Sequence, residues 1–356
     1  MTGNLFGKAL SLSSFGESHG IAIGGMIDGY PSNIYIDLNF IQKELNRRRP
    51  GQSEIASPRQ EKDKVEFLSG IFEGKTTGTP IGFIIKNLNQ HSTDYDDIRE
   101  IFRPSSADYT YKYKYSIRDH RGGGRASARE TAIRVVAGAL AKILLKKYKI
   151  KLNAFTSQIG NIKLDKNYKN LDLTKIENNI VRCPDDKIAN KMIKFLENIS
   201  LEKDSIGGIV NCVIKNVPVG LGEPVYDKLQ ADLAKAMFSI NAVKGFDYGI
   251  GFDGVGLKGS EQNDSFIYHN KKIKTLTNNS GGIQGGISNG EDIYFRVLFK
   301  PTSSIGIKQE TIDINKKKKE IEIKGRHDVC IVPRAIPIVE AMAAFTIADH
   351  LLRTKK

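Results

Sequence analysis

The stretch from residue 118 to residue 134 constrains this chain most, because it joins a glycine-rich loop to the start of a helix. The three glycines at 122–124 let the backbone come close to a bound group. Ser127 and Glu130 have the spacing of a capping box. Apolar residues then recur with the spacing of one helix face: Ile133, Val136, Ala137, Leu140 and Leu144.

Arginines surround this predicted helix start, and they indicate a negatively charged ligand. Arg118 and Arg121 precede the glycines, and Arg125, Arg129 and Arg134 follow them. A helix N-terminus offers free N–H groups and a partial positive charge, and a guanidinium can hold an oxyanion through two parallel hydrogen bonds. We therefore expect an ordered site here for a phosphorylated or carboxylated ligand.

A basic RNA-binding or nucleotide-binding protein is one alternative class. It is suggested by the formal net charge of +14, by the Arg-Gly-Gly-Gly-Arg run and by the 13 tyrosines. Disordered segments of this kind occur as repeats in low-complexity surroundings, whereas this chain has one copy joined to an amphipathic helix. Strongly salt-dependent binding to nucleic acid would identify this class. We expect no nucleic-acid partner.

A hydrolase that uses Ser18 is the other alternative. Residues 16–20 read Gly-Glu-Ser-His-Gly and fit the G-x-S-x-G pattern. That nucleophile elbow follows several strands in hydrolases, and an earlier loop supplies part of the oxyanion hole. The stretch before residue 16 has no room for these elements, so we interpret the motif as a turn.

Composition favours a globular protein that works in a reducing compartment. Of the 356 residues, 40% are hydrophobic and 26% are charged. The three cysteines, at 183, 212 and 330, form neither a disulfide framework nor a zinc pattern, so a cytoplasmic location is the simplest expectation. We expect no metal site, no signal peptide and no apolar run long enough to span a membrane.

The periodicity of the chain predicts a mixture of helices and strands without regular alternation. Helices are predicted from Asp37 to about residue 49 and over residues 188–199, 225–240 and 336–352. Strands are predicted over 65–72, 81–85, 293–299 and 319–324, with a strand pair in 206–219. Residues 52–64 and 86–117 are predicted as loops. No linker divides the chain, so we expect one α+β domain over residues 1–356 rather than a doubly wound fold.

Seven separated motifs, taken together and in order, resemble the chorismate synthase family. They lie at residues 16–20, 47–51, 118–131, 239–245, 281–286, 300–304 and 325–328. The resemblance extends from residue 3 to about residue 353 and is weakest across 151–204. It implies a layered β-α-β sandwich and a homotetramer.

The resemblance also implies a reaction. The family converts 5-enolpyruvylshikimate 3-phosphate into chorismate and phosphate by an anti 1,4-elimination, in the last shared step towards the aromatic amino acids. It requires reduced FMN, although there is no net redox change. Bifunctional relatives reduce their flavin with NADPH. This sequence has no identifiable nicotinamide site, so we expect it to depend on flavin reduced elsewhere, as by a separate flavin reductase.

The family's functional residues carry over to single positions of this chain. The resemblance implies that His19 protonates reduced flavin and that Asp328 works with flavin N5 in removing the ring proton. The implied flavin contacts are Arg125, Ala126, Ser127, Asn241, Ala242, Gly285, Lys300, Pro301, Thr302, Ser303, Ser304 and Arg326. Candidate arginines for the substrate's phosphate and carboxylates are Arg48, Arg129, Arg134 and Arg334.

Four positions depart from the family pattern. Ser106 stands where the family usually has a second catalytic histidine, and a serine can donate a hydrogen bond but cannot carry positive charge. We therefore expect reduced rather than absent activity. Ala126 replaces a common serine, Val329 replaces the usual proline after Asp328, and Glu54 stands where relatives often carry arginine.

Overall fold

The computed structural model describes residues 3–49, 63–88, 99–322 and 328–354. Its helices are α1 (Leu38–Arg48), α2 (Asp108–Tyr115), α3 (Thr131–Lys146), α4 (Asp186–Leu201), α5 (Leu229–Phe238), α6 (Gly259–Gln262) and α7 (Val332–Thr354). The first strands are β1 (Leu5–Gly7), β2 (Ser11–Phe15), β3 (Ala22–Asp28), β4 (Val65–Phe67), β5 (Ile71–Phe72), β6 (Lys75–Thr76) and β7 (Ile81–Lys86). They continue with β8 (Lys151–Ile159), β9 (Ile162–Lys163), β10 (Gly208–Lys215), β11 (Val243–Tyr248), β12 (Phe266–His269) and β13 (Lys272–Thr275). The last are β14 (Ile283–Gln284), β15 (Ile287–Ser288), β16 (Ile293–Phe299), β17 (Gln309–Ile312) and β18 (Lys318–Ile321).

Two five-stranded antiparallel sheets form the outer layers. One has the order β1-β2-β3-β7-β4 and the other has the order β11-β16-β10-β8-β9. The interior strand β16 buries alternate side chains, as its period-two pattern predicts: Ile293, Phe295, Val297 and Phe299. One face of this sheet therefore packs on the interior.

Helices α3 and α7 form the layer between the sheets. α3 contacts β3 of the first sheet, α7 contacts β8 and β10 of the second, and the two helices pack extensively on each other. Gly138 permits this approach, because a Cβ at that position would lie 2.2 Å from the Cβ of Ala341. α3 is buried on nearly every side, so the single apolar face predicted from the sequence is too narrow.

By length and composition alone, α7 could cross a membrane. The expectation that no apolar run reaches this length is therefore wrong for this helix. Of its most apolar window, 94% is buried inside the fold. This burial between α3 and the second sheet is the environment of a core helix.

A buried cluster of four charged residues joins three helices, and we call it the four-residue charge cluster. Lys142 of α3 lies 2.5 Å from Glu44 of α1 and 2.6 Å from Glu340 of α7. Arg47 of α1 lies 3.1 Å from Glu44 and 2.7 Å from Glu340. Two cations and two carboxylates thus balance one another inside the helical layer.

The structure corrects several expectations. Residues 108–115 form α2 instead of a loop. The sequence did not predict this helix, because its alternating tyrosines and lysines lack the spacing of an apolar helix face. Residues 151–159 form β8, which pairs with β10 although its sequence alternates only in part. The strand pair predicted in 206–219 is the single strand β10, and the helix predicted from 225 begins at Leu229. The loop predicted for 52–64 lies outside the described residues except for positions 63 and 64.

Candidate active site

A cleft of about 1410 Å³ opens beside the glycine loop that precedes α3. Its walls come from segments that are far apart in sequence. They include β1 and β2, the segment from Arg103 to Asp119 with α2, the glycine loop, residues 239–242 and residues 300–304. Cationic side chains outnumber carboxylates seven to four among the described lining residues. The cleft therefore favours an anionic ligand.

The helix start differs in detail from the predicted capping box. Two short 3-10 turns, Gly124–Ala126 and Ala128–Glu130, precede α3. The Ser127 side chain caps this start by accepting from the backbone N–H of Arg129 at 3.2 Å, whereas the predicted box requires the N–H of Glu130. The Glu130 carboxylate instead accepts from Ser14 Oγ at 2.9 Å and from Arg134 Nε at 2.7 Å. The charged Arg134 is a stronger donor for this carboxylate than a backbone amide.

His19 packs directly against the glycine loop. Gly122 has a φ of +88°, and a Cβ there would lie 2.4 Å from two atoms of the His19 ring. The backbone N–H of Ser18 faces the carbonyl of Gly124 at 3.4 Å, and Ser18 Oγ lies 3.0 Å from His19 Nδ1. Only glycine at 122 leaves room for the imidazole, so the first and third sequence motifs meet at this point.

The candidate flavin residues converge on one part of the cleft. Eight of the twelve line it: Arg125, Ala126, Asn241, Ala242, Lys300, Thr302, Ser303 and Ser304. Asn241 Nδ2 donates to the carbonyl of Ala126 at 2.7 Å, and the N–H of Lys300 donates to the carbonyl of Ala242 at 2.9 Å. Burial and the nearby Lys244 lower the pKa of Lys300. These contacts tie three distant segments into one wall.

Gly285 lies away from this wall within the chain. It forms the turn between β14 and β15 with Gly286, whose carbonyl accepts from the N–H of Leu229 at 2.9 Å. Leu229 begins α5, whereas Asn241 follows the end of that helix. A ten-residue helix is about 15 Å long, so the two candidates are separated by the length of α5. Ser127 and Pro301 do not line the cleft, and Arg326 lies outside the described residues.

Arg134 is the substrate-binding candidate that lines the cleft. Its Nε pairs with Glu130, and its Nη1 donates to Ser239 Oγ at 2.6 Å. Its Nη2 makes no hydrogen bond within the described part of the chain. This nitrogen remains available to an anionic ligand.

Arg48 and Arg129 do not line the cleft and instead meet at one carboxylate. Asp63 accepts from Arg48 at 2.9 Å through one oxygen and from Arg129 through the other. Arg48 is 3% exposed and Arg129 is 9% exposed. Burial lowers the pKa of Arg48 to about 10 even though Asp63 opposes the shift. The structure therefore brings these two candidates together as a buried group, which we call the Asp63 cluster.

The fourth candidate, Arg334, pairs with the candidate base. Its Nη1 donates to the Asp328 carboxylate, and its Nε approaches the carbonyl of Arg48 at 3.4 Å. The carbonyl of Asp328 in turn accepts from Thr302 Oγ1 at 3.2 Å. Asp328 thus lies between the start of α7 and the wall that carries Lys300.

Of the cluster around Asp108, the sequence analysis selected Ser106 and Arg118 but neither Arg103 nor Asp108. Arg103 holds the Asp108 carboxylate through Nε at 2.8 Å and Nη2 at 2.7 Å, and Arg118 lies 3.7 Å away. Burial alone would raise the pKa of Asp108, but the hydrogen bonds and charges of these arginines hold it below its usual range. Ser106 Oγ donates to the same carboxylate at 3.1 Å, and all four residues line the cleft. The available sequence signal was an Arg-Pro pair with an aspartate five residues after the arginine.

The fold and the cleft define an α+β protein with a cationic, multi-segment site for an anionic small molecule. A family model described as chorismate synthase matches residues 10–352. Curated relatives named chorismate synthase are 61% identical in Phocaeicola vulgatus (98% of each chain) and 60% identical in Bacteroides thetaiotaomicron (99% of this chain and 98% of the relative). A crystal structure of chorismate synthase superposes with a TM-score of 0.78 at 30% identity, covering 98% of this chain and 93% of the other. The chain belongs to the chorismate synthase family.

These comparisons confirm the α+β fold class and the family resemblance. They do not support the RNA-binding alternative, because the family model and the relatives are all named chorismate synthase. The activity is that of a lyase in the shikimate pathway.

Proposed function

We propose that this chain converts 5-enolpyruvylshikimate 3-phosphate into chorismate in the cleft described above, with reduced FMN bound against residues 125–126, 241–242 and 300–304. The observation that carries this assignment is the convergence of those three segments beside the glycine loop. The excess of cationic over anionic lining residues suits a substrate with one phosphate and two carboxylates.

The residues of this wall fit a flavin mononucleotide. Asn241 Oδ1 is a buried acceptor with no hydrogen-bond partner among the described residues, and a ring imide N–H would satisfy it. Lys300 and the hydroxyl groups of Thr302, Ser303 and Ser304 form a donor set suited to a phosphate. Bound reduced FMN would supply an electron-rich ring that assists the elimination without being consumed.

Departure of the substrate phosphate requires stabilisation of its developing negative charge. Arg134 supports this role because one guanidinium nitrogen remains open towards the cleft. Arg48 and Arg129 add positive charge without lining the cleft. If either arginine contacted the substrate, the substrate would compete with Asp63 for it. Arg103 and Arg118 also line the cleft and add two further cations, partly balanced by Asp108.

Proton transfer is assigned to two groups that contact lining residues of the cleft: His19 lies against Gly122, and Asp328 accepts from Thr302. Asp328 removes the ring proton, and Arg334 orients its carboxylate. His19 holds a proton close to the glycine loop, where Ser18 Oγ meets its Nδ1. Ser106 replaces the second imidazole of the family and contributes only a hydroxyl, which here donates to Asp108.

We also propose a cytoplasmic homotetramer that receives reduced flavin from another source. Two features support assembly. The family's flavin residue Gly285 is distant from Asn241 in the same chain, and the β12–β13 hairpin exposes Phe266, Tyr268 and Ile273. A neighbouring subunit would cover this hairpin and could supply the missing glycine. Sedimentation at micromolar concentration should give four chains per particle, and a monomer would contradict this part.

Anaerobic turnover of 5-enolpyruvylshikimate 3-phosphate tests the function. With dithionite-reduced FMN, the absorbance of chorismate should rise, and with oxidised FMN or with NADPH and oxidised FMN it should not. A Lys300→Met variant should weaken FMN binding by about tenfold, since one charge-assisted hydrogen bond to a phosphate is lost. Absence of product although both ligands bind would reject the assigned activity, and unchanged FMN affinity in the variant would reject the assigned wall.

A further inference from the structure

Arg182 is a buried arginine that lies outside every motif of the sequence. It belongs to the segment 151–204, where the family resemblance is weakest, and it is only 6% exposed. Its φ is +54°, in the left-handed region that residues other than glycine seldom adopt. A strained backbone of this kind persists when surrounding contacts require it, and such residues cluster at functional sites.

One nitrogen of its guanidinium compensates for a proline in α7. In an α-helix, the N–H of residue 337 would donate to the carbonyl of residue 333. Residue 337 is a proline inside α7 and has no N–H. Arg182 Nη1 donates to the carbonyl of Pro333 at 2.5 Å instead. The arginine therefore satisfies a carbonyl that the helix itself cannot.

The neighbouring nitrogen satisfies the end of another helix. Arg182 Nη2 donates to the carbonyl of Arg47 at 2.9 Å, in the last turn of α1. Carbonyls in the last turn of a helix have no partner within that helix. Glu177 holds the third nitrogen, Nε, at 3.1 Å. Because the guanidinium is planar and rigid, its two donors fix the distance between the end of α1 and the start of α7.

The residues next to these two carbonyls belong to the candidate site. Arg48 follows Arg47, and Arg334 follows Pro333. Arg334 approaches the carbonyl of Arg48 at 3.4 Å and pairs with Asp328. A shift of α7 relative to α1 would therefore move the pair formed by Arg334 and Asp328 away from the Asp63 cluster.

We propose that Arg182 is a positioning residue, which sets the geometry of Arg48, Arg334 and Asp328 by bridging the carbonyls of Arg47 and Pro333. This inference rests on the proposed function, because it matters for turnover only if those three residues serve the reaction. Arg182 does not line the cleft. It acts through the two helix ends.

The first test compares Arg182→Lys and Arg182→Met with the unaltered protein. A lysine ammonium is a point charge that cannot reproduce the planar two-donor bridge. Both variants should lose about tenfold or more in kcat/KM, since displacement of reacting groups by about 1 Å can cost that much. The affinity for FMN should change by less than about twofold because Asn241 and Lys300 have no contact with Arg182. Unchanged kcat/KM in both folded variants would overturn the proposal.

A second test uses Pro337→Ala, which restores the missing amide donor to the carbonyl of Pro333. Placed on Arg182→Met, it should recover thermal stability, because the buried carbonyl is satisfied again. It should not recover kcat/KM, because the carbonyls of Arg47 and Pro333 still lack the guanidinium that bridges them. Recovery of both quantities would mean that Arg182 only satisfies a buried carbonyl, and the positioning role would be rejected.

Arg353→Met provides a matched control at the other end of α7. Arg353 is also largely buried and pairs with Asp232 and Asp349. Its removal should lower thermal stability while leaving kcat/KM unchanged. If the unaltered protein makes no chorismate, the proposed function itself fails. If it does so and the Arg182 variants match it in kcat/KM, only the positioning role fails.

Discussion

Arg134 of the cleft and the two arginines of the Asp63 cluster differ in how many guanidinium nitrogens have a partner among the described residues. Arg48 gives its three nitrogens to Thr131 Oγ1, Asp63 and the carbonyl of Ala128. Arg129 likewise engages all three nitrogens. Arg134, which lines the cleft, has no partner for Nη2 in the described part of the chain. The same residue type in neighbouring motifs is therefore available for a ligand in one place and committed to the fold in the other.

This difference teaches that an arginine in a motif does not by itself define a ligand contact. Guanidinium groups need several acceptors, and a buried one must find them within the protein. The Asp63 cluster contributes positive charge to the site from a fixed position. A ligand that contacts either arginine would share its charge with Asp63. Substitutions on the two sides of the comparison should thus affect different quantities.

The largest expected effect is on the cleft side, with Asp328→Asn. Removal of a general base typically lowers the rate by about 10² to 10⁴. Asparagine keeps the shape and still accepts a hydrogen bond from Arg334. Single-turnover kinetics under anaerobic conditions should show this loss with FMN affinity preserved. A rate within a few-fold of the unaltered protein would remove Asp328 from the mechanism.

The next largest effect is a loss of stability on substitution in the Asp63 cluster, with Asp63→Asn. Two buried guanidinium groups would then share a neutral partner, and breaking a buried ion pair in this way costs about 3–5 kcal/mol. The free energy of unfolding in urea measures it. Asp165→Asn is the control, because Asp165 is exposed and its pair with Lys163 at 3.5 Å contributes about 0–1 kcal/mol. Equal losses in the two variants would contradict the distinction between buried and exposed charge.

Glu340→Gln should change how stability depends on acid. Burial alone would raise the pKa of Glu340, but Lys142 and Arg47 hold it well below its ordinary value. A lowered folded-state pKa gives stability that is present above the unfolded pKa, about 4.3, and is lost as pH falls below it. The variant should be less stable at neutral pH, and the gap should narrow towards pH 3. Unfolding curves in urea at several pH values test this, and a constant gap would contradict it.

The smallest expected effect is a gain, with Ser106→His in the lining of the cleft. Serine donates to Asp108 but cannot carry charge, whereas histidine could do so beside the substrate. Turnover should rise by a few-fold. This is well below the rate increase of about 10²-fold that a fully positioned acid–base group contributes. Ser105→His, at the adjacent lining position, serves as the control and should give no gain. If both variants or neither gained activity with folding intact, the missing imidazole would not limit this chain.

Much of the fold was predictable where local chemistry is decisive. Asp37 was predicted to cap α1, and its side chain accepts from the N–H of Phe40 at 3.0 Å. The alternating residues of β16 are buried as predicted. α2 and β8 were missed because neither has a clean period, and their conformation depends on partners far along the chain. The roles of His19, Ser106 and the other candidate residues stay predictions.

The sequence by itself determined the glycine loop that leads into α3, the capping of α1, the buried alternation of β16 and the family to which the chain belongs. Each of these depends on residues close together or on motifs in fixed order. The tertiary structure decided which arginines face the cleft, that Glu130 pairs with Arg134 rather than closing a capping box, and that Arg182 serves both α1 and α7. The two carbonyl partners of Arg182 lie 135 and 151 residues away from it in the sequence. Only the packing of distant segments brings these donors and acceptors together.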